Sequence, residues 1–430
     1  MQKKTKKICI INAVGLTYDH CIKDAFFKQI GEVQPVEGVF PALTCSVQAS
    51  LLTGKYPNEH GIVGNGWLFP DTREVRFWQQ SHHLIESDSF LVNRKVANLF
   101  WWFALGSPCQ YYVTPRPFYA NNSDKVFGIL DKTSCQLEEK LGKFPFHEFW
   151  GPFAGGKSSE WIAKATAEVI RNKETEITLC YLPHLDYDFQ RFGPNNEKPL
   201  EHLKHCLKVV LEACQQNGVE PVIVSEYGIV PTQKAVFLNR FYREKGWLKV
   251  RPGPFGETVD FYESKVFAVV DHQMAHVYLN GVSEAEVKRE TLKLEGVADL
   301  VPARELFLEH ERSGKLIALS EDHAWFAWPY WLEKHGQPDF AECVDIHRKP
   351  GYDPCELNLK SKTHLMKKLL LKKCGFKARM DMIDPNVDRI RGSHGLVNKG
   401  KDRSVIIGKG ELPTRQIDFR AYIERSLNDR

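Results

Sequence analysis

This sequence of 430 residues lacks both paired CxxC cysteines and an apolar stretch long enough to span a membrane. None of its 11 cysteines belongs to a CxxC pair, and an odd number of cysteines cannot all pair within one chain. We therefore expect mostly reduced thiols in a cytoplasmic protein. The longest apolar stretch, residues 96–105, is interrupted by Asn98 and is shorter than the roughly 20 residues that span a bilayer. The sequence thus predicts no transmembrane helix.

An excess of charge of one sign is also lacking. The 58 Lys and Arg residues exceed the 54 Asp and Glu residues by four, so the overall charge does not indicate a nucleic-acid polymer as a partner. The basic start, residues 1–7, leads into an apolar segment that is too short for a signal sequence and predicts a buried strand. Hydrophobic residues make up 43%, which is typical of a globular protein. The length predicts one to three domains of about 150 residues.

Strands and helices that follow one another are what the sequence does contain. Apolar runs predict buried strands at residues 8–14, 177–181, 221–224, 265–270 and 404–407. Residues 200–216 carry apolar side chains at helical spacing, and Asn217-Gly218 is a helix stop signal. The resulting strand, helix, strand unit predicts an α/β sheet. In such a sheet, ligands bind at the carboxyl ends of the strands.

A formal match to a phosphate-binding loop occurs at residues 151–158, Gly-Pro-Phe-Ala-Gly-Gly-Lys-Ser, which fit GxxxxGK[ST]. Such a loop follows a short β-branched strand, whereas residues 144–150 contain a proline and bulky aromatic side chains. We favour the alternative interpretation, a glycine-rich start of an amphipathic helix over residues 159–170. Under the nucleotide-binding interpretation, Lys157 would be essential.

Thr44 lies between the extended Phe40-Pro41 segment and a run of small residues. One interpretation is a helix N-cap, whose hydroxyl oxygen accepts hydrogen bonds from the first backbone amides. The other is a nucleophile, because the positive end of a helix dipole favours both an attacking oxygen and a phosphate group. The residue types around Thr44 leave both interpretations open.

The residues around Thr44 also form a longer pattern. Residues 40–44 (Phe-Pro-Ala-Leu-Thr), 52–57 (Leu-Thr-Gly-Lys-Tyr-Pro) and 60–65 (His-Gly-Ile-Val-Gly-Asn) closely resemble the nucleophile region of the nucleotide pyrophosphatase/phosphodiesterase branch of the alkaline phosphatase superfamily. The resemblance implies that Thr44 attacks phosphorus and bridges a metal ion, and that Asn65 holds a phosphate oxygen. It also implies an alkaline-phosphatase-like α/β fold: a three-layer sandwich with a mostly parallel central sheet, helices on both faces and an inserted cap.

The resemblance covers the chain from about residue 8 to 280 and again from about residue 390. We therefore predict an α/β core over residues 1–284, a cap or inserted subdomain over residues 285–390, and a return to the core over residues 391–430.

Three later segments resemble the metal-binding segments of the family and follow in the same order. Residues 181–194 resemble a segment in which an aspartate and, four residues on, a histidine bind one zinc ion. Residues 222–229 resemble the Ser-Asp-His-Gly strand end that binds the other ion, and residues 392–395 resemble a late histidine of the first site. The metal ligands that the resemblance implies are Asp186, Glu226 and His394.

Several ligand positions depart from the family pattern. Val14 stands in place of an aspartate, Glu226 in place of another aspartate, and Gln190 and Tyr227 in place of histidines. Because zinc takes about four nitrogen, sulfur or carboxylate donors, we predict that one zinc site is lost and that the other persists with a replacement donor. The metal would be a divalent ion, zinc first, with manganese or iron as alternatives, and the number of ions stays open. Additional ligands or phosphate contacts are offered by His184, Gln190, Tyr227 and His272.

Two charged segments have alternative interpretations. Residues 360–379 contain eight basic and no acidic residues, interleaved with leucines; they predict either peripheral contact with an anionic membrane or a solvated helix on the core. Residues 344–354 combine carboxylates, a histidine and two cations. They predict either a contact for the anionic part of a substrate or a salt-bridged turn.

We therefore carry two hypotheses from different classes. The first is a metal-dependent hydrolase or transferase that acts on a small-molecule phosphoester through Thr44, as a phosphodiesterase or phosphomonoesterase, with a site reduced to a single metal. The second is a binding or scaffold protein that keeps the phosphatase fold without hydrolysis. The substitutions at Val14, Gln190 and Tyr227 motivate the second.

Overall fold

The computed structural model describes residues 6–119 and 125–428. Most of the basic start, and the predicted domain ends at residues 1 and 430, lie outside the described residues. The strands are β1 (Ile8–Ala13), β2 (Glu32–Pro35), β3 (Gly66–Phe69), β4 (Glu74–Phe77), β5 (Val96–Leu99), β6 (Tyr111–Tyr119), β7 (Lys125–Asp131), β8 (Ile177–Leu182), β9 (Glu220–Val224), β10 (Val230–Pro231), β11 (Lys234–Val236), β12 (Val250–Gly253), β13 (Gly256–Val259), β14 (Val266–Asp271), β15 (Met274–Leu279), β16 (Val297–Pro302), β17 (Leu316–Ser320), β18 (Ala324–Phe326), β19 (Gly392–Ser393) and β20 (Val405–Gly408).

The helices connect and cover these strands. The α-helices are α1 (Tyr18–Ile22), α2 (Ala25–Ile30), α3 (Thr44–Thr53), α4 (Pro57–His60), α5 (Leu137–Leu141), α6 (Gly156–Asn172), α7 (His184–Phe192), α8 (Glu197–Asn217), α9 (Leu238–Glu244), α10 (Glu284–Thr291), α11 (Lys362–Lys373) and α12 (Phe419–Asn428). Short 3-10 helices lie at His82–Leu84, Phe146–Glu148, Ala303–Leu306, Lys334–Gly336, Asp339–Glu342, Pro354–Leu357, Val387–Arg389, Gly400–Asp402 and Gln416–Asp418.

An eight-stranded sheet forms the centre of the fold, in the order β2-β20-β9-β1-β8-β5-β6-β7. The five strands from β9 to β6 are parallel, and β20 and β7 add to them in antiparallel fashion. Every residue of β1 and β8 is buried, as expected for strands covered on both faces. The predicted α/β fold with a mostly parallel central sheet is confirmed.

The carboxyl ends of three central strands meet at one edge. Ala13 at the end of β1 pairs with Leu182 at the end of β8, and Asn12 pairs with Val224 at the end of β9. The chain therefore brings the residues that follow these strands close together, although they are far apart in the sequence. This edge positions the candidate site.

A second sheet has the order β14-β15-β17-β16, with antiparallel neighbours. Its strands surround a separate cluster of buried apolar side chains. The predicted strand at residues 265–270 lies here and not in the central sheet. Because two strands precede residue 285 and two follow it, the predicted boundary between core and cap divides one sheet; the division of the chain into domains stays a prediction.

The glycine-rich segment 151–158 does not have the surroundings of a phosphate-binding loop. Helix α6 begins at Gly156, three residues before the predicted helix, and a 3-10 helix at Phe146–Glu148 stands where that loop needs a strand. The ammonium group of Lys157 donates to the Glu148 carboxylate at 2.9 Å. This segment is the start of a helix.

No helix within the described residues combines the length and apolar character needed to cross a membrane.

Candidate active site

Thr44 is the first residue of α3, and Leu43 occupies the N-cap position without a side-chain capping bond. The capping interpretation of Thr44 is therefore wrong by one residue. Its hydroxyl group instead lies 2.8 Å from the Tyr227 hydroxyl, and both side chains are buried. Burial raises the pKa of Tyr227 well above its ordinary value, so its phenol stays neutral.

Asn65 links the start of α3 to the end of β14. Its side-chain oxygen accepts from the Cys45 backbone N–H at 3.0 Å. Its backbone N–H and its side-chain amide donate to the two oxygens of Asp271, at 2.9 and 3.1 Å. Because a side-chain amide carries two hydrogens, one hydrogen takes no part in the bond to Asp271. Burial raises the pKa of Asp271 to about 7, against the opposing effect of the Asn65 amide.

Glu226 is fully buried just beyond β9 and faces amides instead of cations. One carboxyl oxygen accepts from the side chains of Asn12 and Gln48, at 2.5 and 2.7 Å. Burial raises the pKa of Glu226 to about 8, although these two amides lower it in part. The second carboxyl oxygen and the side-chain oxygen of Asn12 have no partner within the described residues. A proton on that carboxyl oxygen would make it a hydrogen-bond donor.

Four aromatic rings stack in succession through the site. The ring centroids of Tyr227 and His394 are 3.7 Å apart and nearly parallel, with an angle of 8°. His394 and His272 are 3.7 Å apart, as are His272 and Tyr352. Rings at this separation are in van der Waals contact.

Asp186 and Gln190 lie one turn apart on α7, so they face the same side of the helix. The Gln190 amide donates to Asp186 at 2.8 Å, and the Gln190 oxygen accepts from the Tyr352 hydroxyl at 2.9 Å. The other Asp186 oxygen is 3.4 Å from Nε2 of His394, whose Nδ1 is 2.7 Å from the Ala42 carbonyl oxygen. Gln190 thus joins two side chains of the site.

The two further histidines differ in position. His272 belongs to the site: its Nδ1 is 2.8 Å from Asp271, its Nε2 has no partner within the described residues, and its φ of 61° is unusual for a residue other than glycine. Burial lowers its pKa well below the ordinary value. His184 instead lies beside α8, where its Nε2 is 3.0 Å from the Pro199 carbonyl oxygen, and burial lowers its pKa to about 3. No contact that we observe in the described chain joins His184 to the other site residues.

Four site residues were not singled out as ligands or catalytic groups from the sequence: Asn12, Gln48, Asp271 and Tyr352. Asp271 is the last residue of β14, and an acidic residue at the end of a predicted strand is a signal in the sequence for a site residue. Tyr352 lies in the charged segment 344–354. The rest of that segment is a salt-bridged turn, in which buried Lys349 pairs with Asp353 at 2.6 Å and with Glu356 at 2.7 Å.

The metal ion that the family resemblance implies does not fit this arrangement. Across residues 6–119 and 125–428, no group of three or more His, Cys, Asp or Glu side chains is arranged to hold an ion. Of the expected ligands, Glu226 accepts from two amides through one oxygen, and Nδ1 of His394 lies 2.7 Å from the Ala42 carbonyl oxygen. Asp186, Glu226 and His394 therefore surround one region of the protein without forming a coordination shell.

The family model for type I phosphodiesterase / nucleotide pyrophosphatase matches residues 24–353. The chain belongs to this family. As a member of it, the chain is a phosphoester-hydrolase-like enzyme. No curated protein matches the sequence.

Solved structures of two related classes share the fold. Phosphonoacetate hydrolase from Sinorhizobium meliloti 1021, in complex with phosphonoformate, aligns with a TM-score of 0.62 at 14% identity, over 98% of this chain and 96% of that one. Murine ectonucleotide pyrophosphatase/phosphodiesterase 5 aligns with a TM-score of 0.55 at 13% identity, over 98% and 95%. An inactive variant of the murine protein was solved with AMP and aligns with a TM-score of 0.56 at 13% identity, over 98% and 95%. The predicted alkaline-phosphatase-like fold is confirmed.

Proposed function

We propose that this chain hydrolyses a small-molecule phosphoester at the amino end of α3, with Thr44 as the nucleophile. The observation that carries the proposal is the position of the Thr44 hydroxyl. It begins a helix, performs no capping role and lies 2.8 Å from the neutral Tyr227 hydroxyl. A hydroxyl in this position is next to backbone N–H groups that attract a phosphate.

In the proposed reaction the chain's own groups bind, orient and move a proton. The Thr44 oxygen forms a bond to phosphorus while the bond to the leaving alcohol breaks, and water later releases phosphate from the threonine. The threonine proton passes to solvent or to the leaving group by way of the Tyr227 hydroxyl. The remaining amide hydrogen of Asn65 and the positive end of the α3 dipole stabilise the phosphoryl oxygens. A divalent metal, as in the family resemblance, would lower the pKa of the nucleophile, but no step here depends on it.

A pair of substitutions at one position tests the nucleophile. Thr44→Ala should reduce hydrolysis of 4-nitrophenyl phosphate or bis(4-nitrophenyl) phosphate by at least about 100-fold, whereas Thr44→Ser keeps a hydroxyl and should retain activity within roughly tenfold. Purified proteins are compared with chelator and with added zinc, manganese or iron. Full activity in Thr44→Ala would show that another group attacks phosphorus.

The second candidate function is binding without hydrolysis. It is favoured by the ring stack and by Gln190, which replace metal donors with groups that already have partners. Calorimetry with AMP or phosphonoformate, together with metal analysis, separates the two functions. Ligand binding by a preparation that holds no metal and gives no turnover with any of the three metals would favour this second function over the first.

We propose a cytoplasmic location on the basis of the cysteines. All eleven are unpaired, as expected in a reducing compartment. Cell fractionation tests this, and recovery from a secreted fraction would contradict it.

A further inference from the structure

Helix α11 belongs to an excursion of the chain that is closed at its base. Leu359 and Ile383 form an antiparallel bridge, and the Lys360 N–H donates to the Met382 carbonyl oxygen at 2.8 Å. The residues between them leave the body of the protein and return to the same point. They form what we name the α11 excursion, residues 360–382.

Few side chains attach the helix to the rest of the protein. Leu365 is the only buried residue of α11. Asp381 accepts from His364 at 3.2 Å and from Lys368 at 2.7 Å. These contacts hold one side of the helix, and the other side is open.

The open side exposes large apolar side chains. Met366 is 65% exposed and Leu370 is 63% exposed, and their spacing of four places them on one face of the helix. Leu369 is 45% exposed and Phe376, just beyond the helix, is 63% exposed. Apolar groups of this size gathered on one protrusion mark an interaction surface more often than single exposed leucines do.

The same surface has charge of one sign. Between residues 360 and 380 there is no Asp or Glu. Three basic residues of the excursion pair with Glu342 or Asp381. Five others have no acidic partner within the described residues: Lys362, Lys367, Lys372, Lys373 and Lys377.

We propose that the α11 excursion binds the surface of an anionic lipid bilayer. Exposed aliphatic side chains fit the boundary between headgroups and acyl chains, and the lysines beside them fit anionic headgroups. A nucleic acid would use the lysines but give no burial to Met366 and Leu370. The proposal does not depend on the hydrolytic activity.

The test uses the full chain labelled at Cys374, because this is the only one of the eleven cysteines that is exposed and it lies directly after α11. An environment-sensitive dye at Cys374 should shift to the blue with vesicles of one part phosphatidylserine to two parts phosphatidylcholine. Vesicles of phosphatidylcholine alone should produce little shift. Sedimentation of the vesicles gives the affinity independently.

Charge is tested by Lys367→Gln combined with Lys372→Gln and Lys373→Gln. Since each lysine near a bilayer contributes about fivefold, this triple variant should bind anionic vesicles roughly 100-fold more weakly. Its control neutralises three exposed lysines elsewhere and should bind like the unaltered protein: Lys198→Gln, Lys399→Gln and Lys409→Gln.

Apolar insertion is tested by Met366→Ser combined with Leu370→Ser, which should abolish the blue shift. Its control, Leu332→Ser, alters a leucine that is 45% exposed outside the excursion and should have no effect. Equal binding to both kinds of vesicle, or no binding to either, would overturn the proposal. So would binding to polyglutamate or single-stranded DNA without binding to vesicles.

Discussion

The carboxyl group of Glu226 should make the stability of this protein fall as the pH rises. Because its pKa is raised from 4.5 to about 8, the folded state retains a proton that the unfolded state releases. Below pH 4.5 both states are protonated and Glu226 has no effect on the balance. Above about pH 8 both are ionised, and the folded state contains an unpaired buried charge.

The size of the effect follows from this interval. A separation from 4.5 to about 8, at about 1.4 kcal/mol for each pH unit, gives about 5 kcal/mol of lost stability. Glu226→Gln removes the ionisation and keeps an oxygen that can accept from Asn12 and Gln48. The free energy of unfolding of this variant should therefore equal that of the unaltered protein near pH 4.5 and exceed it by about 5 kcal/mol at pH 9.

Denaturant unfolding with a chelator present, at intervals from pH 5 to pH 9, measures the difference. Glu212→Gln, on the exposed side of α8, is the control and should match the unaltered protein at every pH. A difference for Glu226→Gln that stays constant with pH would refute the reasoning. So would stabilisation of the unaltered protein, but not of Glu226→Gln, by added zinc, since Glu226 would then be a metal ligand.

Two further variants test other parts of the site. Gln190→Ala should lower the free energy of unfolding by about 2–4 kcal/mol, because it leaves the Tyr352 hydroxyl and an Asp186 oxygen buried without partners; chemical denaturation measures this, and a loss below 1 kcal/mol would contradict it. A four-residue variant that restores the family's donor types should hold tightly bound zinc by elemental analysis, whereas the unaltered protein should not: Val14→Asp, Gln190→His, Glu226→Asp and Tyr227→His. Tightly bound zinc in the unaltered protein would show that Asp186, Glu226 and His394 suffice to hold the ion.

The sequence predicts the sheet better than it predicts the site. The sequence segments of β1, β8 and β9 are continuous and apolar, so the residue types alone predict strands buried on both faces. Thr44 and Asn65 are 21 positions apart in the sequence and meet at one helix start, which local motifs indicate. The ring stack contains residues as distant in the sequence as Tyr227 and His394. Packing between such distant segments cannot be predicted from the residues around either one.

The boundary predicted at residue 285 shows the same limit. Strands β16 and β17 complete a sheet that begins with β14. The period of two residues is the same in every strand, so it does not indicate which strands pair. Tyr352 was assigned to a cap, yet its ring and its hydroxyl contact His272 and Gln190. A segment without a motif thus contributes directly to the site.

Three buried carboxyl groups explain how this site differs from one built around metal ions. Asp186, Glu226 and Asp271 have no lysine or arginine partner in the described chain, and a cluster of bare carboxylates would repel one another. Side-chain amides stabilise two of the carboxylates by hydrogen bonds: Gln190 donates to Asp186, and Asn65 donates to Asp271. The third carboxyl group, Glu226, is protonated at neutral pH because its pKa is raised to about 8. The amides thus stabilise the charges of Asp186 and Asp271 and the proton removes that of Glu226, so the three groups repel one another less than three bare carboxylates would.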